Sequence, residues 1–200
     1  MKIQWKRAER PNWALPFFAG LLAGVFFVYL NTEAFLTENG FLSWMNLERM
    51  SRIELNENAF FLYVVGKRFG TIWLVAVLAT TFAGIVTTYL FVLWIGVCGG
   101  VISTVAVMRY GMKGLLLLAG GMMPQFLFYV PAFLMLADWS MQTCMRLYYP
   151  VVDYTEIHGT KTKNNGMFWR FVMLHGVVII GIILESYVNP NLMTELLKIF

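Results

Sequence analysis

Charge is what this sequence has least of. Asp, Glu, Lys and Arg supply 13% of its 200 residues, against roughly 25% in soluble domains, while 59% are hydrophobic. Mean hydropathy is +0.66. A soluble fold of this size could not hide so much apolar surface from water, whereas a bilayer can. Cysteine is scarce too. Cys98 and Cys144 make neither a disulfide framework nor a metal-ligand pattern, and Cys98 lies in an apolar run as a small hydrophobe. There are two histidines, and the one inside an apolar run, His175, has no His, Cys or carboxylate three or four residues away to complete a metal site. G-x-S-x-G, H-E-x-x-H and the P-loop are all missing, as are carboxylates paired on one helical face. The apolar runs also lack the paired aspartates or Ser/His pair of an intramembrane protease and the rows of ionisable residues an ion-coupled transporter needs. These absences argue against an enzyme, and no cofactor or metal is expected.

The net charge of +4 and pI near 9.1 do not indicate nucleic acid. The basic residues begin at Lys2, Lys6, Arg7 and Arg10 and then sit in pairs at the ends of apolar stretches, as they do at membrane flanks.

About 20 residues of helix cross the hydrocarbon core. Residues 13–30 form a first candidate span. Basic residues precede it as in a secretion signal, but the run is long and no small-x-small cleavage site follows, so it is expected to remain as a span. The uncharged run 71–108 is too long for one helix. A break near Tyr89 and Leu90 divides it into 71–89 and 91–108. Residues 114–137 give a fourth span and 167–188 a fifth, with its charged ends snorkelling. These runs lack the period-two alternation of barrel strands. The expected fold is therefore an all-α, polytopic helical membrane protein of one domain, 1–200, with about five transmembrane helices. Residues 40–70 read as an interfacial amphipathic segment marked by Trp44, Arg49, Arg52, Lys67 and Arg68, and 138–166 as a loop opening with aromatic anchors. Basic residues divide almost evenly between the two sides. The four before the first span, followed by Glu33 and Glu38, favour a cytoplasmic N-terminus.

Ionisable residues inside spans are costly and often functional. His175 is read as a lone histidine bonded to a backbone carbonyl or a neighbouring Asn or Ser, and Asp138 as interfacial. Glu185 either reaches the headgroups or pairs with Arg109 or Lys113. Glycine is the more abundant signal. Gly20 with Gly24, Gly96 with Gly100, and Gly111 with Gly114 mark places where helices can approach closely, either within this chain or against a partner subunit. Pro124 and Pro131 predict a kinked fourth span whose freed carbonyls Gln125 or Tyr129 could serve. Such a helix can line a transporter cavity or simply be a packing feature.

The stretch Arg109-Tyr110-Gly111-Met112-Lys113-Gly114, continuing through Met122-Met123-Pro124-Gln125-Phe126-Leu127-Phe128-Tyr129-Val130-Pro131-Ala132, resembles the stage II sporulation protein M family. There a Y-G-x-K-G-like entry leads to a Pro-His/Gln segment and a second proline. Gly20 to Tyr29 is similar to the family's glycine-containing first span, and the segment from Ile183 to Pro190, with Glu185, to its terminal I-E-x-x-x-x-P. The frequent Pro-His-Gly-x-x-Glu form is changed: Gln125, Phe126 and Tyr129 stand where His, Gly and Glu would be. The resemblance implies a bacterial cytoplasmic membrane protein. It implies a non-catalytic scaffold for cell-wall hydrolases during engulfment of the forespore. The partners expected are the lipid bilayer and other membrane proteins, with a homo-oligomer as a further option. The rival reading is a permease subunit working with a separate ATPase. A third is a small immunity or lipid-interacting protein acting alone.

Overall fold

The computed structural model describes residues 11–37, 57–148 and 164–197, and these are helical almost throughout. In order they form α1 (Ala14–Leu30), a single turn α2 (Thr32–Leu36), α3 (Glu57–Ala79), α4 (Gly84–Tyr110), α5 (Met112–Tyr148) and α6 (Asn164–Ile183). A π-helical turn (Leu184–Val188) then leads without interruption into α7 (Asn189–Leu197). No strand occurs among the described residues.

Three helical stretches are long and apolar enough to cross a membrane: Asn58–Ala79, Gly84–Tyr110 and Phe168–Leu192. A fourth, α5, passes only as a bent pair, Met112–Gly121 and Pro124–Tyr148, with 70° between them. The bend directly precedes Pro124, as a missing donor and a ring clash with the previous turn require. The helix α1 is shorter, with 17 residues, or about 26 Å of rise.

Two packing motifs hold the bundle. On α1, Gly20, Gly24 and Val28 are buried at four-residue spacing; on α4, Thr88, Val92, Gly96 and Gly100 form the matching stripe. A Cβ at Gly20 or Gly24 would strike the carbonyl of Leu93 or Val97, and one at Gly96 or Gly100 the carbonyl of Phe17 or Leu21. The contacts advance together along both helices, so α1 and α4 run parallel with their backbones in direct contact. The second motif packs Val64, Ile72 and Val75 of α3 against Tyr129, Ala132 and Leu136 of α5 and Leu174, Val178 and Ile182 of α6. Successive spacings of three, four and eight residues place each set on one helical stripe.

Several expected boundaries shift. The turn expected at 89–91 falls inside α4; the chain turns instead at residues 80–83. There Thr80 and Thr81 hydroxyls bond back to Val77 O and Leu78 O, and Tyr148 Oη donates to Thr80 O at 2.9 Å. The part of the interfacial segment that can be compared, 57–70, belongs to the spanning helix α3, while Trp44, Arg49 and Arg52 lie outside the described residues. Residues 138–148, expected to begin a loop, continue α5 because Ser140, Met141, Gln142 and Cys144 are buried against neighbouring helices. Thr88 and Ser140 share a 2.6 Å hydrogen bond there. Trp13 donates to Asp138 at 2.7 Å, fastening the start of α1 to α5.

Candidate functional site

Inside this bundle α3, α5 and the π turn bring a guanidinium, a phenol and a carboxylate together. Arg68 Nε donates to Glu185 Oε2 at 2.9 Å and its Nη2 to Oε1 at 2.6 Å, a bidentate pair across 117 residues of sequence. Tyr129 Oη donates to Glu185 Oε2 at 2.5 Å. The Arg68 guanidinium also lies over the Tyr129 ring, 4.6 Å from its centroid, adding a cation–π contact. Tyr129 reaches this position because the next helix offers no side chain in its way: a Cβ at Gly181 would collide with the ring.

The geometry of the carboxylate decides what the cluster can do. Three charge-assisted or strong donors converge on Glu185, and both of its oxygens are engaged. Each charge is neutralised by the other, the only economical state for ions in a bilayer. Glu185 is therefore tied to Arg68, not to Arg109 or Lys113. Arg109 instead donates from Nη2 to the carbonyls of Phe35 and Thr37, at 2.6 and 2.7 Å, and ties α2 to the end of α4.

The surroundings remain polar. Gln125, one turn before Tyr129 on α5, is buried with its Oε1 unpartnered; Ser186 Oγ and Asn189 Oδ1, beside and one turn beyond Glu185, are likewise buried without a hydrogen bond. Neither of the roles foreseen for Gln125 and Tyr129, bonding to freed carbonyls of α5, is visible: Tyr129 turns to Glu185. Pro131 stays within α5, and the bend belongs to Pro124. Pro190 sits in the first turn of α7, immediately after the π turn.

The other singled-out residues lie elsewhere. His175 Nδ1 is 2.7 Å from its own helix's Phe171 O and its ring stacks on Phe69, so of the two kinds of partner expected it takes the backbone carbonyl. Gly20, Gly24, Gly96 and Gly100 face one another within the chain. Gly111 takes φ +57° in the single-residue turn between α4 and α5, a backbone state open to glycine, and a Cβ on Gly114 would strike Ala106 O. Among the described residues no three His, Cys, Asp or Glu side chains gather as a metal site.

Lys67, adjacent to Arg68 and about 100° round the helix from it, points outward. It is exposed on the outer face of α3, with Nζ 5.7 Å from the Tyr63 ring centroid. A lysine at the centre of a spanning helix carries an insertion penalty of about 3 kcal/mol.

Sequence reasoning found Glu185, Tyr129 and Gln125 but not their partner. The available signal was complementarity: an arginine within one apolar helix and the lone carboxylate within another are expected to meet.

The fold and cluster define an all-α membrane protein whose polar centre is a closed intramembrane ion pair. Within that class the assignment is specific: the chain belongs to the stage II sporulation protein M family, whose model matches residues 13–190. No curated protein and no solved structure matches it.

Proposed function

We propose that the protein is a non-catalytic scaffold of the bacterial cytoplasmic membrane that assembles or localises partner proteins, with cell-wall-remodelling enzymes of sporulation engulfment as the partners. The alternating helix directions support five crossings, and the four basic residues before α1 favour a cytoplasmic N-terminus. The start of α1, the turn at 80–83 and the end of α5 share one side, and the turn at Gly111 lies on the other.

The observation that carries the reading is the saturation of Glu185 by Arg68 and Tyr129. A general acid or base needs a free proton site within reach of substrate. Here Arg68, Tyr129 and Glu185 consume one another and hold three helices in register. Such a centre suits a rigid platform, and family membership supports the same reading.

Crosslinking of the tagged protein in sporulating-cell membranes, followed by mass spectrometry, tests it. A cell-wall hydrolase joined to the segment between α2 and α3 is the expected result. An ATPase joined to the segment between α5 and α6 overturns it. That outcome would favour the second reading, a permease subunit, for which one observation speaks: the 70° bend at Pro124 lies beside the unpartnered Gln125 Oε1, and broken helices with free polar groups line transporter cavities. Stimulation of a purified ATP-binding subunit by this protein would establish that alternative.

A further inference from the structure

Lys67 is the charge that the bundle leaves outside. It sits nine residues from Asn58 and twelve from Ala79, the ends of its candidate span, or about 13 and 18 Å along the axis. A lysine side chain extends roughly 6 Å by its bond lengths, too short to bring its ammonium to either headgroup layer. Arg68 at the same depth is neutralised by Glu185, but among the described residues Lys67 meets only the Tyr63 ring.

The surface around it is built for close approach. Tyr63, Gly66, Lys67, Gly70 and Leu74 fall on one outward stripe of α3 and all are exposed. A Cβ at Gly66 or Gly70 would meet nothing within 4 Å, in contrast to Gly20, Gly24, Gly96 and Gly100, which are consumed inside the fold. An open small-residue groove beside an uncompensated cation at mid-depth asks for an anion carried on a helix.

We propose that this face of α3 docks a transmembrane helix of a different protein bearing a carboxylate at mid-bilayer depth, paired with Lys67. A second copy of this chain is the poorer occupant by charge. Among the described residues the carboxylates inside candidate spans are Glu185, engaged by Arg68 and Tyr129, and Asp138, engaged by Trp13. The proposal rests on the scaffold reading and gives it a surface and a partner chemistry.

The test uses the full chain in liposomes at pH 8 with a fluorescent Leu/Ala transmembrane peptide carrying one Asp at its midpoint, read by energy transfer. Association is expected to be at least tenfold stronger than for the same peptide with Leu in place of Asp, or with the Asp moved to its end. Lys67→Leu should abolish that advantage, Gly66→Leu with Gly70→Leu should weaken it, and Lys67→Glu should transfer it to a peptide with a central Lys. Lys67→Leu removes an exposed charge and leaves the internal packing untouched, so loss of binding would not report misfolding. Equal binding of the Asp and Leu peptides, or indifference to Lys67→Leu, overturns the proposal. So does self-association of the chain that depends on Lys67. In cells, hydrolase crosslinking that persists in the Lys67→Leu variant would sink this docking face and leave the scaffold reading intact; loss of crosslinking in wild type would sink the scaffold reading itself.

Discussion

Replacing Glu185 by Gln tests whether the central ion pair holds the bundle. The amide keeps the side chain's size and can still accept one guanidinium hydrogen bond. It loses the negative charge and turns an N–H₂ group toward Arg68 or Tyr129. Removing one member of a buried pair costs about 3–5 kcal/mol. The retained acceptor places Glu185→Gln near about 3 kcal/mol and Glu185→Ala nearer 5. The side chains of Arg68 and Glu185 are 33% and 17% exposed, but the medium outside is hydrocarbon, which cannot rehydrate the stranded guanidinium.

The same reasoning requires rescue. Arg68→Leu combined with Glu185→Leu and Tyr129→Phe removes every member of the cluster, and stability should return to within about 1 kcal/mol of wild type. SDS titration from mixed micelles, followed by the fluorescence of the seven tryptophans, measures all of these variants. The Arg68/Glu185 double-mutant cycle should give a coupling of at least about 2 kcal/mol. A cost below about 1 kcal/mol for Glu185→Gln, with single effects that simply add, would refute the lock.

Other sites give sharper contrasts. Gly96→Leu should destabilise by about 3 kcal/mol or more, because it overpacks a helix pair already in backbone contact, while Gly99→Ala should stay within about 0.5 kcal/mol since nothing lies within 4 Å of its Cβ position; thermal unfolding in detergent separates them. Thr88→Val leaves Ser140 buried without its 2.6 Å partner and should cost about 1–3 kcal/mol, much of it recovered on adding Ser140→Ala in the same unfolding assay. In cells, a membrane-impermeant maleimide should label Phe82→Cys from one side of the membrane and leave Leu90→Cys unlabelled; the reverse would move the α3–α4 turn back to 89–91.

The helical membrane class was legible from composition and run length alone, because a bilayer imposes both. The kink was legible too, since Pro124 announces it locally. What failed were boundaries set by charge. Lys67 and Arg68 led residues 57–70 to be assigned to the membrane surface, yet Arg68 enters the bundle because Glu185, 117 residues away, neutralises it. Nothing within a sliding window contains both residues. The same blindness put the turn at Tyr89 rather than at residues 80–83: once α3 was started late, its end had to move late as well. The helical extension through Cys144 escaped notice because Ser140 and Gln142 read as polar loop residues, and only packing against other helices explains their burial. The glycines of α1 and α4 were seen, but not which helix faces they occupy, and Gly66 and Gly70 of α3 were passed over. That distinction exists only in three dimensions, and it separates Gly20 and Gly96 from Gly66 and Gly70.

Two separated pieces of the family motif, the Pro124–Pro131 and Ile183–Pro190 segments, meet for a local reason at the π turn. Pro190 has no N–H, and in a regular helix its ring would press on the carbonyl of Ser186, four residues back. The turn widens there: Asn189 N–H bonds to Leu184 O, five residues back. A π turn rotates the residues it contains relative to the helix before it, and Glu185 is one of them. The proline is thus linked to the aim of the carboxylate, and on α5 Pro124 sets the bend one turn before Tyr129. Pro190→Ala should therefore let α6 and α7 relax toward a regular helix and loosen the Arg68–Glu185 contact without touching either residue. The observable is the Arg68/Glu185 coupling energy measured in the Pro190→Ala background. A fall to less than half its wild-type value supports the linkage, and an unchanged coupling shows that the π turn and the ion pair are independent.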